Sequence, residues 1–220
     1  MVERVYEMVA CPCPLCKSDS RVFSVLERKE YRKCSVCQSV FMNPKDYLPQ
    51  HLEKARYKEH ENDVNDPRYQ RFVSPIVEEI TRRFDPTKHR GLDFGSGTGP
   101  VITKMLREFG YGLTLYDPYF FDNKNYQARL YDFIVCCEVM EHFHQPQKEF
   151  FRLRGLLKNT GAIYCMTRLY DPAVDFTHWH YRRDPTHVFF YHRRALAWIR
   201  SRMDFSSVRT DGKLICLRVW

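Results

Sequence analysis

The sequence of 220 residues contains no apolar run long enough to cross a lipid bilayer. Residues 1–7 lack the apolar stretch of a secretory signal peptide, and internal repeats and low-complexity tracts are absent as well. These absences argue against a membrane-spanning, secreted or repetitive protein and predict a cytoplasmic one. In that reducing compartment the nine cysteines are expected to be free thiols or metal ligands rather than disulfides.

Acidic residues are outnumbered, with 27 Asp and Glu against 35 Lys and Arg, which gives a net charge of +8. A surplus of this size suits an anionic partner such as RNA, a phosphorylated metabolite or an anionic membrane surface, and it equally suits a well-solvated surface. The length is sufficient for one well-buried domain and a small additional unit. Composition leaves the oligomeric state open.

Four cysteines stand in two Cys-x-x-Cys pairs that are separated by 17 residues. The four are Cys13, Cys16, Cys34 and Cys37. Two such pairs can place four thiolates around a tetrahedral ion, and their interval lies in the range of structural zinc sites. Apolar and polar residues alternate between the pairs, which predicts a small hairpin. We therefore predict a zinc ribbon over residues 11–42 with a structural zinc ion, while Cys11 is an additional thiol that could compete as a ligand.

The next segment, residues 43–84, is polar and charged and is expected to be a connector. Its pattern predicts helix in two pieces, broken at Asp66 and Pro67. Tyr57 and Tyr69 lie in this segment, which is also consistent with a solvated helix face.

A glycine-rich stretch, Gly95-Ser96-Gly97-Thr98-Gly99, follows the buried end of a strand that contains Asp93. Alternating glycines let a backbone turn tightly and approach a ligand without Cβ atoms in the way. Pro100 then opens a helix, and a second strand ends at Asp117. Together these elements form a nucleotide half-site in which Asp117 accepts hydrogen bonds from ribose hydroxyls. The G-x-G-x-x-G/A fingerprint of dinucleotide-binding proteins does not fit here. It requires a small residue at position 100, where the sequence has proline.

This arrangement resembles the first motif of class I S-adenosylmethionine (SAM) dependent methyltransferases, and the resemblance covers residues 85–220. It implies an α/β, Rossmann-like sheet in which the glycine turn binds the methionine part of SAM and Asp117 binds the ribose. Only residues 118–131 separate Asp117 from the next apolar run, so the third-strand region is abbreviated and Pro118, Tyr119 and Phe120 are expected to pack on the adenine. The segment before the first strand often covers the cofactor in this family, so the resemblance makes Tyr57 and Tyr69 candidates for a lid. The cofactor set implied by the resemblance is Asp93, Gly95, Ser96, Gly97, Thr98, Gly99, Asp117, Pro118, Tyr119, Cys137 and Tyr69.

A continuous apolar run, residues 132–137, predicts the central fourth strand. On a helix that followed it, Glu138, Glu141 and His142 would lie on one face at i, i+3 and i+4. They match the Glu-x-x-Glu-His pattern of quinone-ring O-methyltransferases, in which these residues look like the ligands of a divalent ion beside the substrate. Two other roles are open for these three residues. They could act as a general base, or the carboxylates could be present only because the helix N-terminus favours negative charge.

A ring-rich segment from Phe176 to His192 follows the fifth strand. Because the fourth and fifth strands end at the same edge of the sheet, we expect a substrate pocket there that is bounded by Trp179, Tyr181 and His187. His187 is a candidate general base that Asp184 could orient, and a packing histidine is the alternative.

The leading hypothesis is an enzyme that methylates a small or carrier-bound molecule at oxygen. Arg182 and Arg183 could receive a phosphate or carboxylate of that substrate, or simply be solvated. A ribosomal or transfer RNA methyltransferase is the first alternative, because a cysteine ribbon before a class I domain and a basic surface suit RNA. The absence of an Asn-Pro-Pro-Tyr-like tetrapeptide favours the leading hypothesis. The second alternative is an inactive interaction module, which the intact glycines and Asp117 oppose.

Overall fold

The computed structural model describes residues 11–59 and 62–220. Residues 1–7, on which the expectation about a signal peptide rests, and His60 of the connector lie outside the described residues. Two sheets and five α-helices make up the described part of the chain. Within that part, no helix is both long and apolar enough to span a membrane.

The N-terminal part is a small antiparallel sheet formed by β1 (Ser20–Leu26), β2 (Lys29–Cys34) and β3 (Val40–Met42). Glu27 and Arg28 connect β1 to β2 with positive φ angles of 52° and 66°. Two consecutive positive φ angles are the geometry of a type I′ turn, whose twist matches that of a tight hairpin. The hairpin predicted between the cysteine pairs is therefore confirmed.

Two helices, α1 (Gln50–Lys58) and α2 (Pro67–Arg83), form the connector. The side chain of Asp66 caps α2 by accepting a hydrogen bond of 2.8 Å from the N–H of Arg68. Pro67 occupies the first turn, where its missing N–H removes no helical hydrogen bond. The predicted break at Asp66 and Pro67 is confirmed. α2 buries an apolar face against the main sheet, formed by Val73, Ile76, Val77 and Ile80.

Strands and helices alternate through the rest of the chain. They are β4 (Arg90–Phe94), α3 (Val101–Glu108), β5 (Gly112–Tyr116), β6 (Tyr131–Cys137), α4 (Pro146–Gly155), β7 (Leu157–Met166), β8 (Phe189–Phe190), α5 (Arg193–Arg202), β9 (Ser207–Asp211) and β10 (Leu214–Arg218).

The main sheet has six strands in the order β5-β4-β6-β7-β10-β9. The first four pair in parallel, and β10 pairs antiparallel with both β7 and β9. Between β5 and β6, the described residues form one 3₁₀ turn, Lys124–Ala128, and no strand of this sheet. The predicted Rossmann-like α/β sheet with an abbreviated third-strand region is therefore confirmed.

The helix after the glycine turn begins one residue later than predicted. Pro100 is the residue that precedes α3, with φ of −75° and ψ of 69°, and the helix starts at Val101. A ψ of this value is not helical, so Pro100 belongs to the turn rather than to the first position of the helix.

A strand from the C-terminal part completes the ribbon sheet, whose order is β1-β2-β3-β8. β8 pairs antiparallel with β3, so that Val40 lies opposite Phe190 and Phe41 opposite Phe189. The rings of Phe41 and Phe189 stack with their centroids 6.1 Å apart. The ribbon and the main sheet consequently share a continuous hydrophobic core.

Glu79 joins α2 to the antiparallel end of the main sheet. Its buried carboxylate accepts hydrogen bonds from Nε of Arg83 at 2.7 Å, from Arg209 at 2.9 Å and from Arg218 at 3.0 Å, and it also contacts Arg82. A buried carboxylate needs such partners, because burial without them is strongly unfavourable.

We expect Glu79→Gln to lower the free energy of unfolding by about 1.5–3 kcal/mol, because it removes charge-assisted hydrogen bonds and leaves several guanidinium groups without their acid. Urea unfolding followed by circular dichroism measures the change. Glu78→Gln is the matched control, since Glu78 is exposed on the same helix. Equal stability of the two variants would contradict the role given to Glu79.

Candidate active site

A cavity of about 620 Å³ opens at the carboxyl ends of β4, β5 and β6, where ligands bind in open parallel sheets. Residues of α1 and of the segment that leads into α2 cover it from the other side. Nine of the eleven residues that the sequence predicts for the cofactor line this cavity. They are Gly95, Ser96, Gly97, Thr98, Asp117, Pro118, Tyr119, Cys137 and Tyr69.

The glycine turn adopts a conformation that other residues rarely take. Gly95 and Gly97 have φ angles of 78° and 61°, in the left-handed region. A Cβ on Gly95 would lie 2.5 Å from Cγ2 of Val139, whereas a Cβ on Gly97 would meet no atom within 4 Å. Ser96 lies between them, and its buried Oγ has no hydrogen-bond partner in the described residues. The turn therefore presents open space and a polar atom to the cavity.

Asp117 holds the glycine turn in place. Its Oδ2 accepts a hydrogen bond of 3.0 Å from the N–H of Gly97. Its Oδ1 accepts from the N–H groups of Tyr119 at 2.8 Å and Phe120 at 3.1 Å. A carboxylate has about four lone-pair sites, so acceptor capacity is left for a ligand in the cavity. Asp117 thus links the turn, the loop after β5 and the cavity.

Asp93 and Gly99, which the sequence also predicts to bind the cofactor, do not line this cavity and support the turn. The buried carboxyl of Asp93 accepts a hydrogen bond of 2.6 Å from Oγ1 of Thr103 in α3. Burial raises the pKa of Asp93 to about 6, and the Thr103 hydroxyl opposes this effect. A Cβ on Gly99 would lie 1.8 Å from the carbonyl oxygen of Asn62, so Gly99 permits a close backbone contact.

α1 forms one wall of the cavity through Glu53 and Tyr57. The hydroxyl of Tyr57 donates to Oε1 of the buried Glu53 at 2.7 Å, and the hydroxyl of Tyr119 donates to Oε2 at 3.1 Å. Burial raises the pKa of Tyr57 well above its usual range. The lid candidates Tyr57 and Tyr69 both line the cavity. Glu53 was not predicted, because one glutamate on a charged helix gives no sign of being buried.

A carboxylate and two imidazoles meet at the cavity wall. One ligand atom from each of Glu141, His142 and His187 lies within 4.8 Å of the others, and we call these residues the ligand group. His142 and His187 line the cavity, and Glu141 is fully buried behind it. Two imidazoles and a carboxylate are a ligand set that suits divalent transition metals.

The ligand group differs from the predicted set, which contained Glu138 in place of His187. The prediction assumed a helix from Glu138, but this residue follows β6 with a φ of 50°, and only Met140–His142 form a 3₁₀ turn. The three predicted side chains therefore do not share a helical face. Glu138 lines the cavity separately, and its Oε2 lies 3.3 Å from the hydroxyl oxygen of Tyr181.

Backbone carbonyls fix the orientation of both imidazoles. Nδ1 of His142 lies 3.0 Å from the carbonyl oxygen of Thr186, and Nδ1 of His187 lies 2.6 Å from that of Tyr181. Because a carbonyl oxygen can only accept, both Nδ1 atoms carry the proton, which puts the lone pair of the neutral ring on Nε2. This arrangement is typical of histidines that bind a metal or accept a proton.

Glu141 requires a proton or a cation beside it. Its Oε1 accepts a hydrogen bond from the hydroxyl of Tyr181, and its buried Oε2 has no hydrogen-bond partner in the described residues. Burial, followed by the negative charge of Glu138, raises the pKa of Glu141 to about 8. A buried, unpartnered carboxylate oxygen is unfavourable unless a positive group meets it.

The four predicted cysteines also come together, with their sulfur atoms within 4.8 Å of one another. They are Cys13, Cys16, Cys34 and Cys37. The two Cys-x-x-Cys segments have the same local form, because the residues that follow them, Lys17 and Gln38, have φ angles of 63° and 61°. Two backbone N–H groups point at Sγ of Cys34, both at 3.4 Å. Cys11 does not belong to this group, which we call the four-cysteine cluster.

The described residues 176–192 reach the cavity through Asp184 and His187. Most rings of this segment are core, packed against β2 and β3 of the ribbon. The hydroxyl of Tyr181 points inward to Glu141, and Trp179 lines a different recess. The prediction that Trp179 and Tyr181 bound the substrate cavity is therefore wrong for this cavity, because the pairing of β8 with the ribbon buries these rings elsewhere.

A sequence family described as a methyltransferase domain matches residues 66–210. The chain belongs to this methyltransferase family. The predicted enzyme class, a SAM-dependent methyltransferase, is thereby confirmed. The matched residues include the glycine turn, Asp117 and the ligand group, whereas the four-cysteine cluster and α1 precede them.

This methyltransferase is similar to several solved structures at low sequence identity. Burkholderia thailandensis 1,6-didemethyltoxoflavin-N1-methyltransferase, solved with 1,6-didemethyltoxoflavin and S-adenosylhomocysteine, is 13% identical over 90% of this chain and 98% of that chain, with a TM-score of 0.52. An O-methyltransferase family protein from the same organism is 15% identical over 76% of this chain and 68% of that one, with a TM-score of 0.46. A possible histamine N-methyltransferase from Thermotoga maritima is 13% identical over 77% of this chain and 98% of that chain, with a TM-score of 0.47. No curated protein matches the sequence.

We expect Asp117→Ala to weaken the binding of S-adenosylhomocysteine by about 10- to 100-fold, because the methyltransferase loses a charged acceptor and the hydrogen bond that holds Gly97. Titration calorimetry measures the affinity. Asp122→Ala removes an exposed carboxylate from the same loop and serves as the control. Unchanged affinity in Asp117→Ala would contradict the role given to Asp117.

Proposed function

We propose that this methyltransferase transfers the methyl group of SAM to a hydroxyl of a small or carrier-bound molecule. The observation that carries the proposal is the position of the ligand group on the wall of the cavity that also contains the glycine turn. Methylation of a hydroxyl requires removal of its proton, and imidazoles, carboxylates or a bound metal ion provide that help. A nitrogen acceptor with a free lone pair would not require such a group.

The cavity residues fit SAM. The unpartnered Oγ of Ser96 and the open space beside Gly97 offer a polar contact and room for a ligand. We propose that the turn from Gly95 to Thr98 binds the methionine part, that Asp117 binds the ribose, and that Pro118 and Tyr119 pack on the adenine. Tyr69 and Cys137 complete the proposed site. When bound, SAM supplies a methyl group on a positively charged sulfur.

The ligand group fits a divalent ion, and we propose that it binds one through Glu141, His142 and His187. The buried Oε2 of Glu141 and the carbonyl contacts of both Nδ1 atoms support this assignment. An ion held there would supply Lewis acidity to a hydroxyl in the cavity.

Glu138 is the proposed acceptor of the hydroxyl proton. It lines the cavity, and its buried Oε1 has no hydrogen-bond partner in the described residues. Burial raises the pKa of Glu138, while the positive charge of Lys213, the Tyr181 hydroxyl and the charge of Arg168 oppose that effect. A carboxylate with a raised pKa is a stronger base than an exposed one, which suits proton transfer near neutral pH.

We further propose that the four-cysteine cluster binds a structural zinc ion. Four thiolates would close the coordination sphere and leave no position for water or substrate. On this basis we propose a ribbon over residues 11–42, a helical connector and lid over 43–84, and a methyltransferase domain over 85–220. Because β8 belongs to the ribbon sheet, the ribbon supports the segment that carries His187.

The zinc proposal predicts that Cys34→Ser loses the tightly bound zinc of the ribbon and melts at a lower temperature, because metal binding contributes to the folding of so small a unit. Elemental analysis and a thermal melt measure both quantities. Cys11→Ser is the matched control and should keep the metal. Full zinc content and an unchanged melting temperature in Cys34→Ser would show that the ligand assignment is wrong.

The ligand-group proposal predicts that zinc-loaded protein binds an added Co²⁺ ion and that His187→Ala weakens this binding at least tenfold, because one of three protein ligands is lost. The visible absorption of Co²⁺ measures binding, and His178→Ala removes an exposed histidine as the control. The affinity for S-adenosylhomocysteine should stay unchanged in both variants. Once an acceptor is found by screening hydroxylated compounds with labelled SAM, turnover of His187→Ala should fall about 10²- to 10⁴-fold.

Two results would separate the possible roles of the ligand group. If wild-type protein binds no Co²⁺ but His187→Ala still loses turnover, His187 acts as the general base and the metal proposal is wrong. If neither Co²⁺ binding nor turnover changes in His187→Ala, the ligand group has no part in the reaction.

A further inference from the structure

A second recess, of about 410 Å³, lies beside the active-site cavity. It is formed by the residues that follow β7, by Trp179, by the first residue of α5 and by the turn between β9 and β10. The carboxyl end of β7 therefore opens into this recess, as those of β4, β5 and β6 open into the larger cavity. Both openings lie at the sheet edge where ligands of parallel sheets bind.

The recess carries an excess of positive charge. Arg168, Arg193 and Lys213 line it, together with the single carboxylate of Asp171. Within the described ranges 11–59 and 62–220, none of these three cations forms an ion pair. Arg209 of β9 and Arg218 of β10 differ, since both bind Glu79. The recess therefore brings together three cations that have no ion-pair partner in the described residues.

Aromatic rings give the recess a fixed shape. Trp179 is half-buried, and its ring packs against Tyr170 and Phe190 at centroid distances of 6.5 and 5.6 Å. Nζ of Lys213 lies 4.4 Å from the ring centroid of Phe72 in α2, which holds this cation in place. An apolar wall beside fixed cations suits a ligand that combines an acidic group with a ring.

One layer of side chains separates the recess from the active-site cavity. Thr167 lines the recess, and its hydroxyl lies 2.8 Å from the hydroxyl of Tyr181. The hydroxyl oxygen of Tyr181 also lies 3.3 Å from Oε2 of Glu138, which lines the cavity. Lys213 and Arg168 are also close enough to lower the pKa of Glu138. The recess is therefore adjacent to the proposed proton acceptor.

We propose that this recess binds a small molecule that carries an acidic group, phosphate or carboxylate, beside a ring. Arg168, Arg193 and Lys213 would hold the acidic group. Because Thr167 and Tyr181 separate the recess from the cavity, this molecule is a second ligand rather than the methyl acceptor. The volume accommodates such a group together with one ring, which favours a small molecule over a nucleic-acid strand. Neither of the two arginines suggested by the sequence, Arg182 and Arg183, lines the recess. Arg182 is buried and donates to the carbonyl oxygens of Phe176 and Thr177.

Phenyl phosphate is a suitable probe, and phenol is its uncharged counterpart. Titration calorimetry on zinc-loaded protein saturated with S-adenosylhomocysteine should detect binding of phenyl phosphate and much weaker binding of phenol. We expect Arg168→Gln and Lys213→Gln each to weaken phenyl phosphate binding about tenfold or more, the value of one charge-assisted hydrogen bond. Arg200→Gln is the matched control, because Arg200 is exposed on α5 and does not line the recess.

Tryptophan fluorescence locates the probe independently. Phenyl phosphate should change the emission of the wild-type protein, and Trp179→Phe should abolish that change, whereas Trp220→Phe should retain it because Trp220 is exposed and outside the recess.

Three results would overturn the proposal, and a fourth concerns the proposed function. Absence of phenyl phosphate binding to protein that still binds S-adenosylhomocysteine would overturn it, as would equal binding by all three charge variants. Tighter binding of a short oligoribonucleotide, lost in Arg168→Gln and Lys213→Gln, would replace the small molecule by RNA. Failure of the wild-type protein to bind S-adenosylhomocysteine would instead refute the proposed function, and binding of phenyl phosphate to that protein would still support the recess proposal.

Discussion

The pairing of β8 with β3 is the constraint on which the active site depends. Besides the strand register, the N–H of Met42 donates to the carbonyl of Val188 at 2.9 Å, and the N–H of Val188 donates to the carbonyl of Glu141 at 3.0 Å. The hydroxyl of Tyr191 donates to the carbonyl of Met140 at 2.9 Å. A continuous set of hydrogen bonds thus runs from the ribbon through β8 to the turn that carries Glu141. The ribbon therefore acts as a scaffold for the chemistry of the neighbouring sheet.

Charge distribution then determines what each part of the site can bind. Glu138 and Glu141 lie close together, and burial raises the pKa of both. Positive charge is required near them, and the structure supplies it from one side through Arg168 and Lys213. The proposed ion would supply further positive charge at Glu141.

Features that depend on short spacing could be predicted from the sequence, and features that depend on strand pairing could not. The two Cys-x-x-Cys pairs and the glycine turn are local, so their spacing already defines their geometry. His187 joins Glu141 only because β8 pairs with the ribbon, and no local pattern indicates that pairing. Glu138 was placed on a helix because its left-handed backbone conformation has no signature in a glutamate. Asp93 and Gly99 belong to the glycine-turn motif, but they contact Thr103 and the backbone of Asn62 and do not line the cavity.

Amide hydrogen exchange before and after removal of zinc by a chelator tests most directly whether the ribbon positions the active site. The amides of residues 186–190 should exchange faster once the metal is removed, including the amide of Val188 that donates to the carbonyl oxygen of Glu141. The amides of β5, at the far edge of the main sheet, should exchange at an unchanged rate. Loss of zinc that leaves exchange over residues 186–190 unchanged would contradict the account.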